Sequence, residues 1–339
     1  ALKKQGINVV IDEVTAINYN SQLVITKSGS SYPYDRCVVS PGVDFHYERI
    51  TGYSEAAIES VPHAWKAGSQ TTLLRNQLQA MPNGGTVVVA APPNPYRCPP
   101  APYERASQIA YYLKQHKPNS KVIVLDPKPS FTKQALFEHA WTELYGYKTN
   151  NALLEWHSGE HASGVVEVDV ASKTVTTEFG DQIQAAVLNI IPPQKAGKLA
   201  FDADLVDSTG WCPVNKLTFE STRHAKVHVI GDACMADSLP KSGFAANSEA
   251  KVCAAAIYAL LKGQEVESPA FSNGCYSLVG KDYAISVVGV YRLSDDGKIV
   301  EGIAGSGGNS SLTATAQDRL FDASYAYSWY NNFTKDVFQ

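Results

Sequence analysis

Two apolar runs constrain this chain more than any other feature. TVVVAA at 86–91 and KVIVLD at 121–126 are apolar almost without a break, the pattern of strands buried on both faces. Between them lie a proline-dense loop, PPNPYRCPPAP, and a helical stretch from about Pro102 to His116. A proline in the first helical turn is harmless, because its missing N–H would have no partner there. A strand–loop–helix–strand unit over 83–126 closes as a parallel pair, so the fold class is α/β with a doubly wound sheet.

The remaining elements extend this frame. INVVID (7–12), QLVIT (22–26) and RCVVS (36–40) read as strands, with KSGSSYPYD as a polar turn between the last two. A helix is expected within 64–81, stopped by PNGG. VVEVDV and TVTTEF frame a hairpin at 165–178, AAVLNIIPP at 185–193 is a buried strand, and KVHVIGDA at 226–233 is another. A small-residue helix over 244–262 ends at Gly263. From Phe271 a separate unit follows: a loop, SNGCYS, then strands YAISVVGVYRL and KIVEGI, a Gly/Ser loop, and an aromatic helix or coil at 325–333. With 339 residues there is material for two or three cores.

Charge and composition narrow the function. Twenty-nine basic against 33 acidic residues leave a net charge of −4, which argues against nucleic acid as a partner. No apolar run reaches the roughly 18 residues of a membrane span. The six cysteines and eight histidines show no metal-ligand spacing, so no metal is expected. His63, His116, His139 and His157 read as solvated or core-edge residues. Cys37, Cys212, Cys234 and Cys253 read as small buried hydrophobes.

Four places could carry chemistry. Gly231-Asp232 ends a strand where doubly wound folds bind ligands, and the helix opening near Gly243 offers free N–H groups. A helix-entry carboxylate and a ligand carboxylate are equally open readings of Asp232. Pro41-Gly42 leaves another strand the same way, as a turn that needs glycine or one that lets a ligand approach. The loop after TVVVAA lacks G-x-G-x-x-G, and prolines donate no N–H to a pyrophosphate. Nicotinamide dinucleotide binding is therefore not expected, and Asp126 reads as a feature of the fold. That loop supplies Cys98, six residues before Glu104. A cysteine near a helix N-terminus tends to a lowered thiol pKa; a structural cysteine and a helix-end glutamate are the alternative.

The strings YRCPPAPYERASQ, VIGDAC, PKSGFAANSEAKV, CYSLVGKDYAISVVGVYR and YAYSWYNN resemble the flavoprotein subunit of flavocytochrome c sulfide dehydrogenase over essentially the whole chain. The resemblance implies two nucleotide-binding-like domains of the disulfide-oxidoreductase type plus a small α+β C-terminal domain. Residues 1–54 and 192–267 would form the FAD-binding domain, 55–191 the second, and 268–339 the third. It implies FAD as cofactor, a c-type cytochrome as partner and a periplasmic location. Cys98 and Cys275 match the family's redox-active pair, and Glu104 its acid/base residue. Asp232 matches the FAD-binding aspartate and Trp329 an aromatic residue near the flavin. Pro41, Gly42, Gly231, Lys241, Ser242 and Gly243 fall in the flavin-binding segments. The family opens with a strand, a G-x-G-x-x-G turn, a helix and a flavin-attaching cysteine that this sequence does not contain. The expectation is thus a chain missing an N-terminal segment.

The expected activity is sulfide oxidation at the Cys98–Cys275 pair, with electrons passing through FAD to the cytochrome. A pyridine-nucleotide-dependent disulfide reductase or NADH dehydrogenase is the competing enzyme class. A module that only binds a periplasmic partner is the non-catalytic alternative.

Overall fold

A computed structural model describes residues 2–159 and 164–338. Strands β1 (Val14–Asn18), β2 (Leu23–Thr26) and β3 (Ser31–Pro33) form an antiparallel meander. INVVID is not a strand. Ile11 in it is 98% exposed, and apolar content does not make a strand without a ladder partner. The segment expected as a polar turn contains β3, with Tyr32 opposite Val24. β4 (Cys37–Val39) and β5 (Val43–Phe45) follow, and then helix α1 (Ser69–Ala80), which starts later than the sequence suggests.

The two runs that fixed the fold class are β6 (Thr86–Ala90) and β7 (Lys121–Leu125), joined through α2 (Ala101–His116) and paired in parallel. Helix α3 (Gln134–Tyr145) and strand β8 (Leu154–His157), in a stretch that carried no reading, extend the sheet. The hairpin is present as β9 (Val165–Asp169) and β10 (Thr174–Thr177), continued by β11 (Gln182–Gln184). With β12 (Val187–Ile190) the parallel order is β12-β6-β7-β8. Tyr103, Phe137 and Trp141 fill the space between helices and sheet and are fully buried.

β13 (Gln194–Ala196) pairs antiparallel with β5, and after a short helix α4 (Lys198–Asp202) strand β14 (Val227–Val229) pairs in parallel with β4. Val229 lies beside Val39, so Pro41-Gly42 and Gly231-Asp232 leave the carboxyl ends of neighbouring strands. Helix α5 (Gly243–Leu261) starts at an N-cap, where the Ser242 hydroxyl accepts the Ala245 N–H.

The C-terminal unit is a long hairpin, β15 (Ala270–Gly280) and β16 (Tyr283–Leu293), with β17 (Val300–Gly302) and β18 (Gly308–Asn309) on its other edge. Helix α6 (Ala316–Phe338), continuous through the aromatic segment, packs on β15 and β16. SNGCYS is therefore not a loop. Cys275 stands mid-strand opposite Val287. Among the described residues no helix is long and apolar enough to cross a membrane.

One histidine departs from expectation. His63 is buried against Phe45, its Nδ1 accepting the Trp65 N–H at 2.9 Å. Burial pushes its pKa down to about 4, so it stays neutral in the core.

Candidate functional site

Cys98 and Cys275, 177 positions apart in sequence, are free thiols brought close enough that each shifts the ionisation of the other. Cys98 sits in the proline loop just before α2, with φ +58°. That left-handed conformation is costly for a residue with a Cβ and marks strain held by its surroundings. Here the Cys98 N–H donates to the Lys241 carbonyl at 2.7 Å, and its own carbonyl accepts the Ala101 N–H at 2.9 Å. Cys275 is fixed by the β15–β16 ladder. Asn273, Cys275 and Ser277 share one face of β15 by the two-residue period of a strand. Asn273 accepts the Ser242 hydroxyl at 2.6 Å, and Ser277 accepts the Lys133 ammonium at 2.8 Å.

The electrostatics of the two thiols differ in sign. The expectation of a lowered pKa at Cys98 is not met. The neighbouring Cys275 sulfur, burial and the Glu104 carboxylate all push Cys98 upward. Cys275 is instead pulled down to about 6 by the Cys98 S–H, with the Lys133 ammonium and the Ser277 hydroxyl adding to it. As in any coupled pair, the charge belongs to the two sulfurs together. Glu104, in the first turn of α2, accepts the Leu278 N–H at 2.9 Å. Burial pushes its carboxyl up to about 7, the range of a group that exchanges protons near neutrality.

A second cluster lies at the strand ends. Gly42 and Gly231 have φ +67° and +74°, conformations open to glycine. The Gly42 carbonyl accepts the Gly197 N–H, and the Gly231 N–H donates to Glu249 at 2.6 Å. Lys241 donates to the Asp232 and Cys234 carbonyls and stands 4.0 Å over the Trp211 ring. Ser242 caps α5, and Gly243 lies beside the Trp329 and Phe333 rings. Trp329 stacks between Phe244 and Phe333. Asp126 is separate from this cluster. Its carboxylate takes four donors from Tyr103, Trp156 and, twice, Lys128, which uses up its accepting capacity.

The two clusters meet through Arg97, the residue before Cys98. Its N–H donates to Gln194 Oε1 at 2.9 Å, and its guanidinium is 3.7 Å from Asp232 Oδ2. Asp232 Oδ1 and Gln194 Nε2 are buried and without a hydrogen-bond partner. A buried acceptor and a buried donor left open in one network fit a ligand that carries hydroxyl groups, as the ribityl chain of FAD does. The residues present therefore fit FAD.

Lys133, Ser277, Arg97, Gln194 and Glu249 were not singled out from sequence. Gln194 had a readable signal, since it follows a buried strand and two prolines, at the sheet end where doubly wound folds bind ligands. Lys133 had none.

Residues 71–192 match the family described as the sulfide dehydrogenase [flavocytochrome c] flavoprotein chain, central. Residues 267–338 match that described as flavocytochrome c sulphide dehydrogenase, flavin-binding. Mitochondrial sulfide:quinone oxidoreductases are similar: that of Dictyostelium discoideum is 23% identical over 252 residues, and that of Mus musculus 24% over 265. Each alignment takes in 71% of this chain and 53% of the relative, so the chain spans about half the length of the curated relatives it matches. Among solved structures, the sulfide:quinone oxidoreductase of Aquifex aeolicus superposes with a TM-score of 0.67 at 16% identity, covering 98% of this chain and 77% of that one. A chain of the putidaredoxin reductase–putidaredoxin complex gives 0.58 at 18% identity, covering 95% and 77%. The shared architecture is that of FAD-dependent disulfide-oxidoreductase-like proteins, and with the two family matches the chain is a flavocytochrome c sulfide dehydrogenase-like flavoprotein, with FAD as its cofactor.

Proposed function

We propose that this flavoprotein oxidises sulfide at the Cys98–Cys275 pair and delivers the electrons, through FAD, to a c-type cytochrome in the periplasm. The observation that carries the reading is the meeting of the two sulfurs across 177 positions, with Glu104 beside them. The family description supports sulfide and a flavocytochrome c, and the similar sulfide:quinone oxidoreductases support the same substrate.

In the oxidised pair a disulfide joins the sulfurs. The sulfur of HS⁻ attacks one of them, and a new S–S bond forms as the old one breaks. One cysteine becomes a persulfide and the other leaves as a thiolate carrying the electron pair. When H₂S enters, the Glu104 carboxylate takes one of its protons and leaves HS⁻ as the nucleophile. Asp232, Gln194 and the Pro41–Gly42 and Gly231–Asp232 turns would hold FAD, and Trp329 would stand near its ring system. When bound, FAD supplies two-electron acceptance from a thiolate and one-electron release to a haem.

Cys98→Ser and Cys275→Ser in the flavin-loaded protein test this. Sulfide should no longer bleach the flavin's blue absorbance band in either variant, while the oxidised spectrum remains. Bleaching at the full rate in either one would refute the assignment, and equal bleaching by NADH would favour the pyridine-nucleotide class.

A further inference from the structure

We infer that Lys133 is the positioning residue that places the negative charge of the reduced pair on Cys275 and leaves Cys98 as its protonated partner. This rests on reading Cys98 and Cys275 as a redox pair and adds which sulfur is the thiolate and what makes it so.

Lys133 is the residue before α3, and its backbone, like that of Cys98, is left-handed, with φ +64°. The side chain is buried. Its ammonium lies 2.8 Å from Ser277 Oγ, 3.3 Å from the Cys275 carbonyl oxygen and 3.9 Å from Cys275 Sγ. Its other neighbour is the face of Phe137, 5.7 Å away. Among the described residues no carboxylate comes within ion-pair distance of it. A buried ammonium needs a compensating charge, and the Cys275 thiolate is the anion that its position serves.

At Cys98 the Lys133 ammonium also favours a thiolate, but it is outweighed by the Cys275 sulfur, burial and the Glu104 carboxylate from α2. Glu104 faces Cys275 and Lys133 as well, and the direct approach of the ammonium to the Cys275 sulfur is what separates the two thiols. Arg105, the next residue on α2, is committed elsewhere, donating to the His63 and Ala64 carbonyls and to Asn189. Cys98 is therefore the sulfur that keeps its proton. Ser277, from β15, holds the ammonium on the Cys275 side.

The test is alkylation of the anaerobically reduced holoprotein by iodoacetamide across a pH series, with peptide mapping of Cys98 and Cys275. Wild type should react first at Cys275, with a midpoint near 6. Lys133→Met should move that midpoint up by at least one unit, an about fivefold slower reaction at the wild-type midpoint and about tenfold well below it. Lys133→Arg should restore it. Reaction at Cys98 first in the wild type overturns the inference without any variant. So does an unchanged Cys275 profile in a Lys133→Met protein that retains its flavin spectrum. No sulfide enters this measurement, so its failure leaves the sulfide assignment standing, and failure of sulfide bleaching leaves the alkylation order intact.

Discussion

Gln194 and Asp232 are joined through Arg97, and each keeps one buried polar atom that no group among the described residues satisfies. An unsatisfied buried group costs about 1–3 kcal/mol, so the network is poised for a ligand at the expense of the protein without it. Asp232→Ala should therefore leave the Tm of the flavin-free protein unchanged or raised. The same substitution should weaken FAD binding by about tenfold or more, read as flavin content after gel filtration. Gln194→Leu should weaken FAD binding likewise, but it also removes the acceptor of the Arg97 N–H and so should lower the Tm of the flavin-free protein. A flavin-free protein markedly destabilised by Asp232→Ala would show that its open oxygen serves the fold alone.

Glu249 gives a pH prediction. It is buried on α5, accepts the Gly231 N–H and the Cys234 thiol, and burial pushes it up to about 7. The folded state keeps a proton that the unfolded chain releases above the ordinary value of 4.5. Stability should thus fall as pH rises from about 4.5 to about 7 and level off beyond. The whole effect is at most about 3 kcal/mol. Glu104 acts in the same direction and window. Glu249→Gln keeps an acceptor for Gly231 and removes the charge, so its Tm should vary less with pH and exceed wild type above neutrality. Parallel melting curves for the two proteins would refute this.

Glu104→Gln should slow sulfide-dependent flavin bleaching by about 100-fold. The wild-type rate should rise with pH through about 7 as the carboxylate forms. The ionisation of H₂S is common to both proteins, so the ratio of their rates across pH isolates Glu104. A pH-independent ratio would exclude it as the proton acceptor.

Two glycines around one turn should fail for different reasons. Gly197 has ordinary φ −60°, but a Cβ on it would stand 2.4 Å from the Pro41 carbonyl oxygen. Gly197→Ala must displace the Pro41–Gly42 turn, with about 1–3 kcal/mol lost and weakened flavin retention. Gly42 has open space around it but φ +67°, so Gly42→Ala should cost only about 1–2 kcal/mol through backbone strain. Denaturation midpoints together with flavin content distinguish the two cases.

How much of this was legible depended on which force fixed each residue. Val87–Val89 and Val122–Val124 were readable because a strand buried on both faces must be apolar throughout. The α5 start was readable from Ser242 and Gly243, since a cap is local chemistry. SNGCYS, with its Asn273-Gly274 pair, read as a loop, yet it lies within the ladder. Gly274 is there because the Phe244 ring would meet a Cβ at 3.2 Å, a tertiary reason that a turn rule cannot see. INVVID failed in the opposite way, with apolar residues but no partner strand. At the site, Cys98 and Glu104 stood out from the proline loop and the helix start, while Cys275 and the roles of all three were named from a resemblance. Lys133 was not readable at all, because its conformation and burial come from packing between α3 and β15.

β15 pairs with β16 over ten positions, so Cys275 is carried by a rule with fixed graduations. Its neighbours on the same face, Asn273 and Ser277, are the marks by which the α5 cap and the Lys133 ammonium are aligned to the sulfur. Changing the length of the 294–299 turn or of the 303–307 loop leaves those graduations alone. One residue inserted between Ser277 and the 281–282 turn would not stretch the site but invert it. The sulfur would turn to the opposite face, and both registrations would be lost in a single step.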